Sequence, residues 1–189
     1  MTTEHLKTQD QFDGGLVANT GAGEVAKATG QYVVECFDKD GNLKWRDETK
    51  NLVVNVGLQY MAGVALTSTS QITSWYIGLY GAGASNTPAA TDTLSSHAGW
   101  TEITPYSGSR PAATFAAATN ANPSVVTNSA SKASFSINAT ATVGGAFLCS
   151  AASGTSGTLF SAADFQSPGD RSVVSGDVLT VTYTFSLSA

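Results

Sequence analysis

Charge is scarce in this chain: 12% of its 189 residues are Asp, Glu, Lys or Arg. Such weak charge excludes a charge-driven disordered protein, and the shortage of Leu, Glu and Lys excludes a helical bundle. Positive charge is scarcer still, with nine basic residues against fourteen acidic ones and a net charge of −5. A nucleic-acid binder needs a clustered positive surface, so no nucleic-acid partner is expected. Two cysteines, Cys36 and Cys149, make no disulfide framework and read as buried small hydrophobes. Long apolar runs are missing as well. The N-terminus, MTTEHLKTQDQFDGG, holds no apolar core of a signal peptide. The stretch Leu52 to Leu66 is broken by Asn55, Gln59, Gly57 and Gly63 before TSTSQ follows. A membrane helix needs about 20 mostly apolar residues, so no membrane partner is expected. These absences fit synthesis in a reducing cytoplasm.

What fills the chain instead is Ala, Gly, Ser and Thr, which together make up about half of it. The length suits one compact domain able to bury roughly 70% of its unfolded-chain surface. The charge is uneven, with 15 of the 23 charged residues in positions 1–50. A surface of small polar residues with little charge needs little desolvation on packing, which suits a protein covered by neighbours.

Residues 1–30 carry few large apolar side chains, chiefly Leu6, Phe12 and Leu16, and cannot form a core of their own. They read as an extended arm, drawn as 1–31 ahead of a β-sandwich domain at 32–189. The spaced anchors suit a tether that reaches across to a neighbouring subunit. YVVECF, from Tyr32, is strand-like, and Leu43 and Trp45 resume strand character after DKDGN. An Asp-Gly pair between two such runs is a strong hairpin signal. Val54, Leu58, Met61 and Leu66 recur at near-helical spacing, which predicts one helix over about 53–66 with Asn51 as its cap. SWYIGLY, 74–80, reads as an aromatic-rich strand. Residues 81–111 read as loop, with a short helical turn around Thr93–Ser96. In 133–140 and 179–188, apolar residues alternate with Ser, Thr and Asn, the period of a half-buried strand. The second run predicts a central strand with Leu179, Val181, Tyr183 and Phe185 facing inward. Further strands are expected at 112–118, 143–149, 158–161 and 172–174. The fold class is therefore all-β, an antiparallel sandwich or jelly-roll-like domain with one short helix.

The chemical motifs are weak. Asp38, Asp40 and Asn42 begin like a calcium loop, but Leu43 stands where the loop needs glycine and Thr49 where it needs Glu. Gly81 and Gly83 lack the third glycine of a dinucleotide fingerprint. His97 lies near Ser95, Ser96 and Asp92, yet no nucleophile elbow accompanies it, so a packing or loop-capping role is expected. His5 lies in the arm. The histidines and cysteines show no zinc-ligand spacing. Asn138-Ala139-Thr140 is a glycosylation sequon by pattern, expected to stay unmodified in a cytoplasmic product. Trp45, Trp75 and Trp100 read as core or interface anchors. Asp164, Asp170 and Asp177 stand apart in sequence and form no carboxylate pair there, as a glycoside hydrolase would need. No catalytic residue, cofactor-binding residue or metal ligand is assigned, and no enzyme is expected.

The succession DKDGNLKWRDETKNLVVNVGLQYM, WYIGLYGAG, DTLSSHAGWTEITPYSGSRP, SKASFSINATATVGGAFL and RSVVSGDVLTVTYTF resembles a family of small structural proteins of tailed bacteriophages. The resemblance covers roughly 32–187 and leaves out the arm. It implies a virion component made in the host bacterial cytoplasm, with the major capsid protein and neighbouring copies, in a trimer, as partners. Labels within the family include head decoration, minor capsid and fibre. A capsid decoration or cement protein is the first expectation. A tail or head-fibre component, binding a host surface through loops 81–111 and 150–170, is the second. The family has no catalytic motif, so no functional residue carries over.

Overall fold

The structure is a computed structural model and describes residues 26–81, 87–166 and 169–189. Two antiparallel sheets pack face to face. The first contains β1 (Lys27–Phe37), β2 (Leu43–Lys50), β6 (Ser124–Thr127), β7 (Ala133–Ser136) and β11 (Val178–Ser188). Its order is β2-β1-β11-β6, and β7 pairs with β11 farther along the same edge. The second contains β3 (Leu52–Val53), β4 (Tyr76–Gly81), β5 (Glu102–Ile103), β8 (Ala141–Cys149), β9 (Leu159–Asp164) and β10 (Arg171–Val173). Its order is β3-β9-β8-β4-β5, with β10 on β8. The helix α1 (Asn55–Leu66) follows β3. The expected all-β sandwich with one helix is therefore present.

β11 is central, flanked by β1 on one side and by β6 and β7 on the other. Its alternation places Leu179, Val181 and Tyr183 in the core opposite Cys36, Val34 and Tyr32. Phe185 departs from the expectation: it is only half-buried, because this end of the sandwich opens into a groove. β1 begins at Lys27, five residues before Tyr32, and Lys27, Ala28, Thr29 and Gly30 pair with Ser188, Leu187, Ser186 and Phe185. Those residues belong to the sandwich. The remainder of the expected arm, 1–25, lies outside the described residues, as does His5.

The hairpin between β1 and β2 forms where Asp-Gly predicted it. Gly41 takes a positive φ of 85°, and Asp38 Oδ1 accepts from the backbone N–H groups of Asp40 and Asn42. The helix starts two residues later than expected. Val54 occupies the cap position without a side-chain bond, while Asn51 instead donates to the Tyr183 hydroxyl at 2.8 Å. The region 112–118 forms no strand; only Ala112 bridges Tyr76. Its Ala-rich sequence gives little side chain to pack.

The second sheet is apolar on both faces. Ile77, Leu79, Ala146, Leu148 and Phe160 face the first sheet, whereas Tyr80, Phe147, Leu159 and Cys149 pack beneath Leu94 and Trp100 from the long loop. This double burial explains why β8 and β9 read as continuous apolar runs rather than alternating ones. A register shift near Cys149 also places consecutive residues Phe160 and Ser161 on the inner side, where Ser161 Oγ meets both Tyr32 and Tyr183 hydroxyls at 2.9 and 3.2 Å. Trp100 is fixed by Asp92, whose Oδ2 accepts from the indole N–H at 2.9 Å and from the Ala89 N–H.

Candidate docking face

Most residues singled out from sequence serve the scaffold. His97 stacks on Trp100 with ring centroids 3.7 Å apart, and its Nδ1 lies 2.8 Å from the Trp100 carbonyl. Asp92 is engaged by Trp100 and Ala89, so the Ser-His-Asp neighbours form no relay. The expected helical turn at Thr93–Ser96 is a tight non-helical turn closed by Thr93 and Ser96. Asp38, Asp40 and Asn42 fold onto their own turn, with Asn42 Nδ2 donating to Asp38 Oδ2 at 3.0 Å. Among the described residues no cluster of His, Cys, Asp or Glu could hold a metal ion. Asn138 is exposed and donates to Ser107 Oγ at 3.2 Å. Gly83 lies outside the described residues.

Both cysteines are buried and unbridged. Burial, then the nearby Asp177, pushes the Cys36 thiol up to about 12, so it stays protonated and unreactive. Asp177 itself sits in a knot of donors: Lys44 Nζ at 2.5 Å and the Val174 N–H at 2.9 Å. Burial alone would raise its carboxyl, but the Lys44 and Val174 hydrogen bonds outweigh it and hold the group below the ordinary range. Asp164 moves the other way, raised by burial and then by Asp170 and Asp47. The charge of Asp170 thus acts on Asp164, while Asp177 lies in its own knot.

The two loops expected to present a host-binding surface are joined by Arg110. Its guanidinium meets Glu102 at 2.6 and 2.7 Å and donates to the carbonyls of Ala151 and Gly154, both at 2.8 Å. That bidentate pair is buried on the arginine side and ties Arg110 to the segment 151–154 and to β5.

Two surface features have no scaffold role. The first is the outward side of α1. The helix carries no charged residue, and of its twelve residues only Gly57 is buried. Leu58, Ala62, Ala65 and Leu66 point to solvent, with Leu58 43% and Leu66 87% exposed. The helical period found α1 correctly, but two of the four residues that revealed it face outward. A surface helix ordinarily turns a charged face to water. This one sits so close to the sheet that an added Cβ at Gly57 would stand 2.3 Å from the Phe160 carbonyl oxygen. The second feature is a groove of about 360 Å³ between α1 and the open end of the sandwich. Tyr60, Met61, Trp75, Phe115, Phe185 and Leu187 form its walls, and none of its lining residues is charged. Its aromatics interlock edge to face: Tyr60 on Trp75 at 5.5 Å, Trp75 on Phe160 at 5.4 Å and Phe160 on Phe185 at 5.3 Å.

Beyond position 50 exposed charge almost vanishes. Of the eight charged residues beyond position 50, Asp92, Arg110 and Asp177 are buried, and Glu102, Asp164 and Arg171 are partly buried. Only Lys132 and Asp170 stand exposed. No helix among the described residues is long and apolar enough to cross a membrane. Comparison with protein families, with curated proteins and with solved structures gives no match.

Proposed function

We propose that the chain is a structural component of a bacteriophage virion, a capsid decoration or cement protein that binds the outer surface of the major capsid protein and stabilises the shell. The observation that carries this reading is the exposed apolar side of α1 within a surface that beyond residue 50 offers just two exposed charges. Large contiguous apolar exposure marks interaction sites. A surface without charge can be covered by protein without stranding ions in a dry interface. The order of sequence blocks, similar to that of tailed-phage virion proteins, supplies the identity of the partner. Affinity for a shell comes from many repeated contacts, so each can be modest. Neighbouring copies, in a trimer, meet around each binding position. The protein performs no catalysis in this role and needs no cofactor.

The test is sedimentation with empty shells of the major capsid protein. Leu58→Asp with Leu66→Asp should leave folding unchanged, because both side chains face solvent, yet weaken shell binding at least tenfold, since each lost 1.4 kcal/mol is a factor of ten. Unchanged binding would reject the α1 face. Binding to host cells rather than to shells would favour a tail or head-fibre protein.

A further inference from the structure

We propose that the small cleft between the segments 102–110 and 152–154 binds a neutral sugar, with the Tyr106 hydroxyl and the Glu102 carboxylate receiving neighbouring hydroxyls of one ring. The proposal does not rest on the shell reading, since the cleft shares no residue with α1 or with the aromatic groove. Room, an unmet polar group and balanced charge point to that ligand.

The cleft holds about 110 Å³. That is several times the ~30 Å³ share of one water, so a single bridging water does not fill it. Its rim is open: Gly108 and Gly154 both line it, and a Cβ added to either would meet nothing within 4 Å. Tyr106 also lines it. This residue is 5% exposed, and its hydroxyl is buried with no hydrogen-bond partner. The ring is packed edge to face on Phe135, with centroids 4.8 Å apart. A buried hydroxyl left unpaired is costly, and a ligand hydroxyl relieves that cost. Burial, then the Glu102 carboxylate, push the phenol up to about 12, while Arg110 acts in the other direction. The phenol is therefore neutral, free to donate and to accept, and near both charges.

Those charges select the ligand. Each Glu102 oxygen accepts from Arg110 and keeps a lone pair for another donor. The pair is neutral as a whole, so an anion meets the carboxylate and a cation meets the guanidinium. An apolar ligand would strand the phenol and the carboxylate. Hydroxyls suit both, because each can donate to the carboxylate or accept from the phenol. Thr104, Ser109 and Ser153 add exposed hydroxyl residues around them. Arg110 also holds the Ala151 and Gly154 carbonyls, so both walls are fixed before a ligand arrives. A sugar ring fixes its neighbouring hydroxyls in advance, whereas glycerol must order its own, which favours the ring.

The test is saturation-transfer NMR on the full chain. The probes are the methyl glycosides of glucose, galactose, mannose and N-acetylglucosamine, with glycerol beside them. At least one glycoside should receive transfer, and glycerol many-fold less. Tyr106→Phe should weaken that binding at least tenfold. Its melting midpoint without ligand should hold or rise, because the lost hydroxyl had no partner. Thr104→Val, at an exposed position, should weaken binding by a smaller factor. No transfer to any glycoside would overturn the proposal and leave the hydroxyl to water alone. Undiminished binding by Tyr106→Phe would overturn it as well, by placing the sugar elsewhere. Glycerol matching the glycosides would reject the ring. A melting midpoint that falls in Tyr106→Phe would show a hydroxyl already satisfied within the protein, and would remove the ground for the site. None of these outcomes depends on shell binding, so the sugar site and the virion reading stand or fall separately.

Discussion

At the scale of single residues, one close contact decides the sign of a mutation against simple propensity. Gly57→Ala would raise helix propensity by about 1 kcal/mol. The new Cβ would meet the Phe160 backbone oxygen at 2.3 Å, and overpacking of this kind costs about 1–3 kcal/mol. Backbone cannot swing aside as a flexible side chain can, so a net loss of up to about 2 kcal/mol is expected in denaturant titration. Phe185→Ala should cost clearly less than the ~3–5 kcal/mol of a fully buried phenylalanine, since one side of the ring faces the groove. Lys44 and Asp177 set the pH dependence. The Asp177 carboxyl is held below the ordinary range, so its contribution is present above about pH 4 and is lost as pH falls through its lower folded value. Lys44 is raised, chiefly by its hydrogen bond to Asp177, so its contribution is present below about pH 10 and lost as pH climbs through the higher folded value. Lys44→Met leaves a carboxylate that is 3% exposed without its counter-charge. The loss should lie near the low end of ~3–5 kcal/mol, because Lys44 is itself about a third exposed and water replaces part of it. Thermal melts across pH should then show a weakened acid limb. Neither Gly57 against Phe160 nor Lys44 with Asp177 was visible from the sequence, since each pair lies more than a hundred positions apart.

At the scale of elements, the sequence was informative wherever a strand is buried on one face only. β11 and β7 alternate cleanly, and Asp40-Gly41 marked its hairpin. β8 and β9 were placed, but their faces were not legible, because both sides are covered and the register shift near Cys149 turns Phe160 and Ser161 to the same side. β6 was missed: SVVT is short and sits among Asn, Pro and Ser, and it is held by pairing with β11 rather than by its own pattern. Between β4 and β8, aromatic and glycine positions interlock. Gly78 pairs with Phe147 and Gly145 with Tyr80, and each ring lies over the opposite glycine. An aromatic covering a cross-strand glycine stabilises that pair and shields the backbone. Gly78→Ala would push a methyl to 2.1 Å from the Phe147 ring. A loss of about 1–3 kcal/mol is expected, with the near-ultraviolet dichroism of Trp100 altered as Phe147 is displaced against it. An unchanged spectrum and melting point would show that the ring swings away freely.

At the scale of the whole molecule, most of the few charges that the sequence carries beyond position 50 lie buried or partly buried. Most late charges turn inward to hold loops, as Arg110 and Asp177 do, which leaves an uncharged exterior from residue 51 onward except at Lys132 and Asp170. The absence of charge was legible; the outward apolar side of α1 was not, since an apolar helical period ordinarily signals a buried face. The groove was hidden for a similar reason, as its walls come from seven separate stretches of chain. Such an exterior suits a protein that spends its working life covered. The most direct measurement is the copy number of this chain in purified phage particles, by quantitative mass spectrometry against the major capsid protein. A decoration protein should be present in hundreds of copies and remain with tail-less heads. A dozen copies or fewer, leaving with isolated tails, would contradict the account.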